Sequence, residues 1–250
     1  MQLADLKWPA VKALSKDIPM VIPVAALEQH GPHLPVFTDS LLLGEIIRRA
    51  AERLGETALF APLMWLGNSD HHIDFPGTLS ARPRVYLDLL AGLIDDFVTH
   101  GFRRIVFVNG HGGNSVPGRQ AVFEARQRYR TRTDVLFVFA TYWELGPLPD
   151  DVQNWFQQKA MGHACEWETS MILKLKPELV GDFKSLTPCQ TSDTAAPAHR
   201  GWITKDFTSN GYIGFPHLAS AEKGETLFGA FTDHLVAFLQ RVSAWDGKRY

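Results

Sequence analysis

The chain has 250 residues, of which 45% are hydrophobic and 21% are charged, a balance typical of globular proteins. Lysine and arginine number 25 against 27 aspartate and glutamate residues, so the formal net charge of −2 leaves no basic excess to bind nucleic acid or an anionic membrane. No apolar run approaches membrane-spanning length and no signal sequence opens the chain, so we expect a cytoplasmic protein.

The first long apolar run predicts a buried strand over residues 21–27. Glu28 and His30 follow it, and because they lie two positions apart, extended backbone would point both side chains to the same face. Asp39 comes next, after two prolines that stiffen the connection. Carboxylate oxygen and imidazole nitrogen are ligands that divalent metal ions prefer. The stretch therefore predicts a metal site that includes Glu28, His30 and Asp39.

A helix, a strand and a polar loop are predicted next. Ser40 is expected to cap a helix whose apolar residues recur at helical spacing as far as Gly55. A short apolar run over residues 58–63 predicts the second strand. The loop over residues 64–79 is rich in Gly, Asn, Asp and His, a composition that favours a functional role over a simple connection.

Two further strand and helix signals complete the pattern. Apolar positions over residues 83–100 fall on one face and predict a helix. Residues 104–109 form a β-rich run without polar alternation, as expected of a central parallel strand covered on both faces. A helix over residues 116–129 and a strand over 135–140 follow. The alternation predicts an α/β fold with a mostly parallel sheet, and the absence of any linker predicts one domain over residues 1–250.

A glycine-rich turn follows the strand at 104–109 and contains His111 and Asn114. Glycine lets the backbone bend tightly there and leaves room for a ligand. Because ligands gather at the carboxyl ends of parallel strands, we expect this turn and the Glu28 turn to share one composite site.

The final third of the chain adds a second polar segment. His163 and Glu168 are five positions apart and would lie on different sides of a continuous helix, so we expect a loop-to-helix transition between them. Residues 146–159 are a candidate lid or oligomer contact, and residues 186–216 show little regular pattern. An amphipathic pattern over residues 228–242 predicts a closing helix.

Four segments concentrate glycine, histidine and acidic residues in a fixed order. They are Glu28-Gln29-His30-Gly31-Pro32-His33-Leu34-Pro35 with Asp39, Gly67-x-Ser69-x-x-His72 with Phe75-Pro76-Gly77-Thr78, Asn109-Gly110-His111-Gly112-Gly113-Asn114, and Gly162-His163-Ala164 with Glu168-Thr169-Ser170. Together they resemble the creatininase (creatinine amidohydrolase) family over nearly the whole chain. The resemblance implies a three-layer α/β/α fold, a metal-dependent hydrolase acting on a cyclic or linear amide, and commonly a homohexamer.

The resemblance also implies the metal ligands, with one carboxylate bridging two ions: Glu28, His30, His111 and the bridging Asp39. Creatininase itself has a further glutamate ligand two residues after the histidine corresponding to His111, where this chain has Gly113. We expect Glu168 to supply the missing carboxylate. The expected cofactors are divalent ions, Zn and/or Mn with Fe also open, one or two per chain.

Substrate contacts are expected from Ser69, His72, Asn114 and His163. Either His163 or, where it is not a ligand, Glu168 is the expected proton donor to the departing nitrogen. Creatininase has Trp and Asp shortly before its active-site histidine, whereas Lys159 and Ala160 stand here, so creatinine is a doubtful substrate. The prediction is a metal-activated water that cleaves the C–N bond of a small amide.

Three alternatives remain open from the sequence. A related hydrolase could open an oxidised cyclitol or another ring through a C–C or lactone-type bond. A mononuclear Fe(II) site built from His30, His111 and Asp39 would carry out oxygen chemistry. A cysteine hydrolase would use Cys165 as nucleophile and need no metal, although a small buried residue near a helix start is the simpler role for that cysteine.

Overall fold

The computed structural model describes residues 1–191, 195 and 198–247. Four strands form one sheet: β1 Met20–Val24, β2 Leu59–Phe60, β3 Arg104–Asn109 and β4 Leu136–Thr141. Helices surround it, together with short 3-10 turns: α1 Trp8–Ala13, α2 Thr38–Leu54, α3 Pro83–Thr99, α4 Ser115–Arg128, α5 Asp150–Trp155, α6 Glu166–Leu175 and α7 Ala221–Ser243.

The sheet is parallel throughout, in the order β2-β1-β3-β4. This confirms the prediction of an α/β fold with a mostly parallel sheet. The chain moves from β1 to one side for β2 and to the other side for β3, so β1 and β3 are neighbours. Such a reversal leaves a crevice beyond the carboxyl ends of the two strands, where ligands bind in doubly wound folds.

Two apolar layers cover the sheet, one on each face. Successive strand residues point to opposite faces. Val21 and Val106 therefore pack in the cluster that includes α2, α6 and α7, while Ile22 and Phe107 pack in the cluster that includes α3 and α4. The result is the expected three-layer α/β/α arrangement, and the continuous apolar runs of the central strands have their cause in this two-sided burial.

Several predicted boundaries are wrong in detail. The strand predicted over residues 21–27 ends at Val24, and the closing helix predicted from residue 228 begins at Ala221. Helix α2 begins at Thr38, so Ser40 is not its cap but lies in its first turn, where the hydroxyl donates to Ala26 O at 2.8 Å. Strand β2 is shorter than the apolar run suggested, because Pro62, which has no N–H to donate to a ladder, follows soon after it.

The C-terminal part brings the second polar segment to the sheet edge. Helix α6 begins at Glu166, which confirms a loop-to-helix transition between His163 and Glu168. Helices α6 and α7 pack against each other and against α2, so the closing amphipathic helix holds α6 in place. Within the described residues, no helix is both long and apolar enough to cross a bilayer.

The packing beneath α7 gives a stability test. Phe231 is fully buried and its ring contacts Tyr142 and Trp167. Phe231→Ala should lower the free energy of unfolding by about 3–5 kcal/mol, because the lost ring leaves a cavity. The control is Trp8→Ala, an aromatic residue that is 75% exposed, with an expected change within about 0.5 kcal/mol. Chemical denaturation of both variants measures the difference, and equal losses would contradict the described core.

Candidate metal centre

The strand order places two turns side by side. Val24 at the end of β1 is in register with Asn109 at the end of β3, and Gly110 N–H donates to Val24 O at 2.9 Å. The chain continues from β1 to Glu28 and from β3 to His111, which brings these two side chains to a separation of 3.2 Å between Oε1 and Nδ1.

Two helix beginnings complete the centre. Asp39 lies in the first turn of α2 and Glu168 in the first turn of α6, and the two helices are in contact. The positive end of a helix dipole favours carboxylates at these positions. Glu168 Oε2 accepts a hydrogen bond from Cys165 N–H, with 3.4 Å between nitrogen and oxygen, and Oε1 faces the centre.

Asp39 lies between two groups of side chains. Its Oδ2 is 3.0 Å from His111 Nδ1, which also faces Glu28. Its Oδ1 is 3.1 Å from His30 Nε2, which in turn is 3.7 Å from Glu168 Oε1. One carboxylate therefore faces two half-sites, each with a histidine and a further carboxylate.

The remaining nitrogen of each histidine is held by a backbone carbonyl. His111 Nε2 lies 2.9 Å from Asn68 O, and His30 Nδ1 lies 3.1 Å from Glu28 O. A carbonyl only accepts, so both nitrogens carry hydrogen and the opposite nitrogens face the carboxylates. This is the arrangement typical of metal-binding histidines, whose second N–H is fixed by a carbonyl or carboxylate.

The electrostatics of the centre call for positive charge. Five residues of the centre are each at most 5% exposed: Glu28, His30, Asp39, His111 and Glu168. Burial alone would favour neutral histidine, yet the carboxylates of Glu28 and Asp39 raise the pKa of His111 to about 10. Burial likewise opposes ionisation of Glu28, but the charge of the neighbouring His111 holds its pKa well below the usual range. A cation stabilises such a set of buried acids.

The donor set fits a divalent metal. Glu28 Oε2 is buried and has no hydrogen-bond partner among the described residues, although buried polar atoms are normally satisfied. Imidazole and carboxylate donors within 4.8 Å of one another occur in several overlapping combinations here, one of which is Glu28, His30 and Asp39. Mixed nitrogen and oxygen donors suit Zn, Mn and Fe.

Ser69 and Asn114 lie behind the centre instead of in the open cavity. The Ser69 hydroxyl is 3.2 Å from His111 Nε2 and is fully buried. Asn114 donates to Ala25 O and to Asn109 Oδ1 and accepts the N–H of Asn68, so its amide links both strand ends to the loop at 67–72. Both side chains support the ring of His111 or the backbone around it.

His72 and His163 line a cavity that opens onto the centre, as do Glu28, Asp39 and Glu168. The cavity has a volume of about 650 Å³. His163 Nδ1 is 3.7 Å from Glu28 Oε1, and its pKa is lowered by burial and by the neighbouring His30, which favours the neutral ring. Lys159 lies away from this region, with its ammonium group on Gln153 O and Phe156 O.

Several residues of the site were not assigned from the sequence. Trp202 lines the cavity and packs edge-on against His71, and Thr204 places its hydroxyl 2.8 Å from His72 Nδ1. Both belong to the irregular stretch at 186–216, where no periodicity marks them. The carboxamide of Gln29 lies between His72 and His163. Its position between the predicted ligands Glu28 and His30 is the sequence feature that could have identified it.

Gly113 has no room for any side chain. A Cβ there would lie 2.2 Å from Asn68 O, 2.5 Å from His111 Nε2 and 2.7 Å from His71 Cε1. The loop at 67–72 thus occupies the space that a side chain at this position would need. A glutamate cannot enter the centre from residue 113 without moving that loop.

The comparisons with known proteins agree with this geometry. The family model for creatininase, described as creatinine amidohydrolase, matches residues 4–239. This chain belongs to the creatininase family. It is 31% identical over 191 residues to the creatinine amidohydrolase of Pseudomonas putida, covering 71% of this chain and 73% of that protein. It is also 31% identical over 245 residues to the mycofactocin precursor peptide peptidase of Mycolicibacterium smegmatis, covering 95% of this chain and 90% of that one.

Solved creatininases share the fold. Two of them, one described as Zn-Zn type and one as a Mn form, are each 27% identical to this chain, with a TM-score of 0.82 over 96% of this chain and 97% of theirs. The family resemblance and the three-layer fold expected from the motifs are thereby confirmed. The chain is a creatininase-family hydrolase with a candidate metal centre.

The crowding at Gly113 gives a test with an internal control. Gly113→Ala should weaken metal binding by about 10–100-fold, because its methyl group would displace the carbonyl that orients His111. Gly112→Ala, where a Cβ meets nothing within 4 Å, should bind metal as the wild type does. Competition with a chelating dye measures both affinities. Equal affinities in the two variants would show that residue 113 does not restrain the centre.

Cys165 allows the cysteine hydrolase alternative to be tested. The thiol is fully buried at the start of α6, and burial raises its pKa to about 12, so it stays protonated near neutral pH. Cys165→Ala should therefore retain hydrolase activity, and a maleimide reagent should modify the half-buried Cys189 first in the native protein. Loss of turnover in Cys165→Ala with intact fold and metal content would restore the cysteine mechanism.

Proposed function

We propose that this protein hydrolyses the C–N bond of an amide with the help of two divalent metal ions in one catalytic domain over residues 1–250. The observation that carries the proposal is the Asp39 carboxylate, whose two oxygens face two separate histidine and carboxylate pairs. A single ion would need only one of these half-sites. Zn and Mn are the favoured metals, since solved creatininases are described with them.

The proposed ligands divide into two sets that share Asp39. Glu28 and His111 form the first set with Asp39 Oδ2, and His30 and Glu168 form the second set with Asp39 Oδ1. Support for Glu168 comes from its short distance to His30 and from the lack of space at Gly113 for another acid. When bound, such ions lower the pKa of a water from near 16 to about 7 and polarise the amide carbonyl.

His163 is the proposed proton carrier. Its Nε2 lies 2.8 Å from Gln29 O, which accepts the N–H and leaves Nδ1 without hydrogen on the cavity side. Nδ1 can accept a proton from the attacking water as the C–O bond forms. It can then return this proton to the departing nitrogen as the C–N bond breaks. Glu168 is then free to serve as a ligand.

The substrate is proposed to be larger and more apolar than creatinine. The cavity wall includes the apolar side chains of Trp143, Met161, Ile213 and Trp202, and the cavity volume of about 650 Å³ lies in the range of sites for drug-sized molecules. A small cyclic amide would leave most of this wall uncovered. Amides with an apolar body next to the scissile bond, including peptide amides, fit the wall better.

We also propose a cytoplasmic homo-oligomer, with a hexamer favoured by the family resemblance. The supporting observation is a set of exposed apolar residues on the adjoining helices α3 and α4: Val85, Leu89, Val116 and Phe123. Exposed apolar patches mark protein interfaces in oligomers. Light scattering coupled to size exclusion is the measurement that tests it.

Metal counting tests the ligand assignment. Elemental analysis should find about two Zn or Mn ions per wild-type chain and no bound ion in Asp39→Ala, which removes the shared carboxylate. Glu168→Gln should retain only the ion of the other set. Glu178→Gln, an exposed acid beyond the end of α6, is the control and should keep both ions. A wild type with one ion that Glu168→Gln leaves in place would refute the two-ion centre.

A substrate panel tests the reaction. Formamides, cyclic amides, short peptides and oxidised cyclitols should be assayed with and without oxygen, before and after chelation. Hydrolysis of an amide that chelation abolishes and metal restores is the expected result. Turnover of oxidised cyclitols alone would replace the proposal with the ring-opening alternative, and turnover that requires oxygen would replace it with Fe(II) chemistry.

A further inference from the structure

Gln29 lies between His72 and His163, two of the histidines that line the cavity. Its side chain is almost fully buried, and Nε2 has three neighbours at hydrogen-bond distance: His72 Nδ1 at 2.8 Å, Gly211 O at 2.9 Å and His163 Nε2 at 3.0 Å. A carboxamide has only two N–H groups for these three positions. Which neighbours receive them decides where the histidine protons are.

The orientation of the carboxamide follows from its backbone partners. Gly31 N–H can only donate and lies 2.9 Å from Oε1, while Gly211 O can only accept and lies 2.9 Å from Nε2. A Cβ at Gly211 would come within 2.1 Å of Oε1, so the side chain is enclosed on that side. The amide oxygen and nitrogen are thereby assigned without reference to either histidine.

The backbone carbonyl of Gln29 then assigns the proton of His163. Nε2 of His163 lies 2.8 Å from Gln29 O, and because the carbonyl can only accept, this nitrogen must carry hydrogen. It cannot also accept from the carboxamide. The second N–H of Gln29 is therefore left for His72 Nδ1.

His72 is assigned in turn. The Gln29 amide nitrogen and the Thr204 hydroxyl oxygen each lie 2.8 Å from its Nδ1. Because the amide nitrogen can only donate, Nδ1 is the nitrogen without hydrogen. The proton of neutral His72 is then on Nε2, 3.4 Å from Glu28 Oε1. The protonated Nε2 of His72 then faces this carboxylate of the centre, so His72 is not itself a metal ligand there.

We propose that Gln29 is a positioning residue that fixes the proton on Nε2 of both His72 and His163, so that His163 presents a proton-free Nδ1 to the cavity. This inference deepens the proposed function, because it explains how His163 is ready to accept the first proton. It also removes one geometric possibility, a metal bound by Glu28, His72 and His163, since a protonated nitrogen cannot be a ligand.

The first experiment determines the proton positions in the wild-type protein. Nitrogen-15 NMR of the purified metal-loaded protein, labelled in its histidine side chains, distinguishes protonated from unprotonated ring nitrogens. His72→Asn and His163→Asn assign the two sets of signals by their disappearance. The expected result is a proton on Nε2 and none on Nδ1 in each ring. A proton on Nδ1 of either neutral ring overturns the proposal.

The second experiment changes the donor to an acceptor at nearly constant shape. Gln29→Glu can still accept the Gly31 N–H but can no longer donate to His72, so the His72 proton should move to Nδ1 and kcat should fall about 10–100-fold with KM little changed. Thr204→Val is the matched control: it removes the other donor to the same nitrogen, and the His72 proton should stay on Nε2.

The two experiments separate this inference from the proposed function. A folded Gln29→Glu protein with unchanged His72 signals and unchanged kcat overturns the positioning role, even where amide hydrolysis by the wild type is established. Protonated Nε2 in both wild-type rings, together with failure to hydrolyse any amide, leaves the positioning of the rings supported and rejects the reaction. Where Gln29→Glu does not fold, the wild-type and Thr204→Val spectra still decide.

Discussion

The carboxylate of Asp39 is the constraint on which the rest of the site depends. It is buried between His30 and His111, and a further acid stands beside each histidine. Three buried carboxylates repel one another and lose their hydration, so the fold must hold them against a considerable cost until positive charge is present. The parallel sheet, the two helix beginnings and the backbone carbonyls of the neighbouring loops all serve to hold them.

Backbone carbonyls of the surrounding loops hold three histidine rings of the site. Asn68 O accepts a hydrogen bond from His111, and Glu28 O accepts one from His30. Gln29 O accepts one from His163. A carbonyl cannot change its role with pH, so these contacts fix the direction of each ring more firmly than a titratable partner would. The loop at 67–72 also fills the space beside Gly113, so a side chain at that position has no room to reach the centre. The additional acid beside His30 is Glu168.

The metal centre and the wall of the cavity come from different parts of the fold, so one scaffold can support a variety of chemistry. The centre is built from strand ends and helix beginnings, which packing holds in place from both faces of the sheet. The wall of the cavity comes instead from Trp143 and from the irregular stretch that carries Trp202. Loops on a rigid scaffold tolerate change better than the scaffold does, so the wall of the cavity can change with less effect on the centre.

The sequence by itself determined the α/β class, the parallel sheet and the segments that meet at its carboxyl edge, because two-sided burial and strand and helix alternation leave strong local patterns. The four motifs also identified the family. Tertiary structure alone decided that β1 and β3 are neighbours, that Ser69 and Asn114 lie behind His111, and that Gln29 and Thr204 meet His72. These contacts join residues up to 132 positions apart along the chain, and local periodicity carries no information about such pairings.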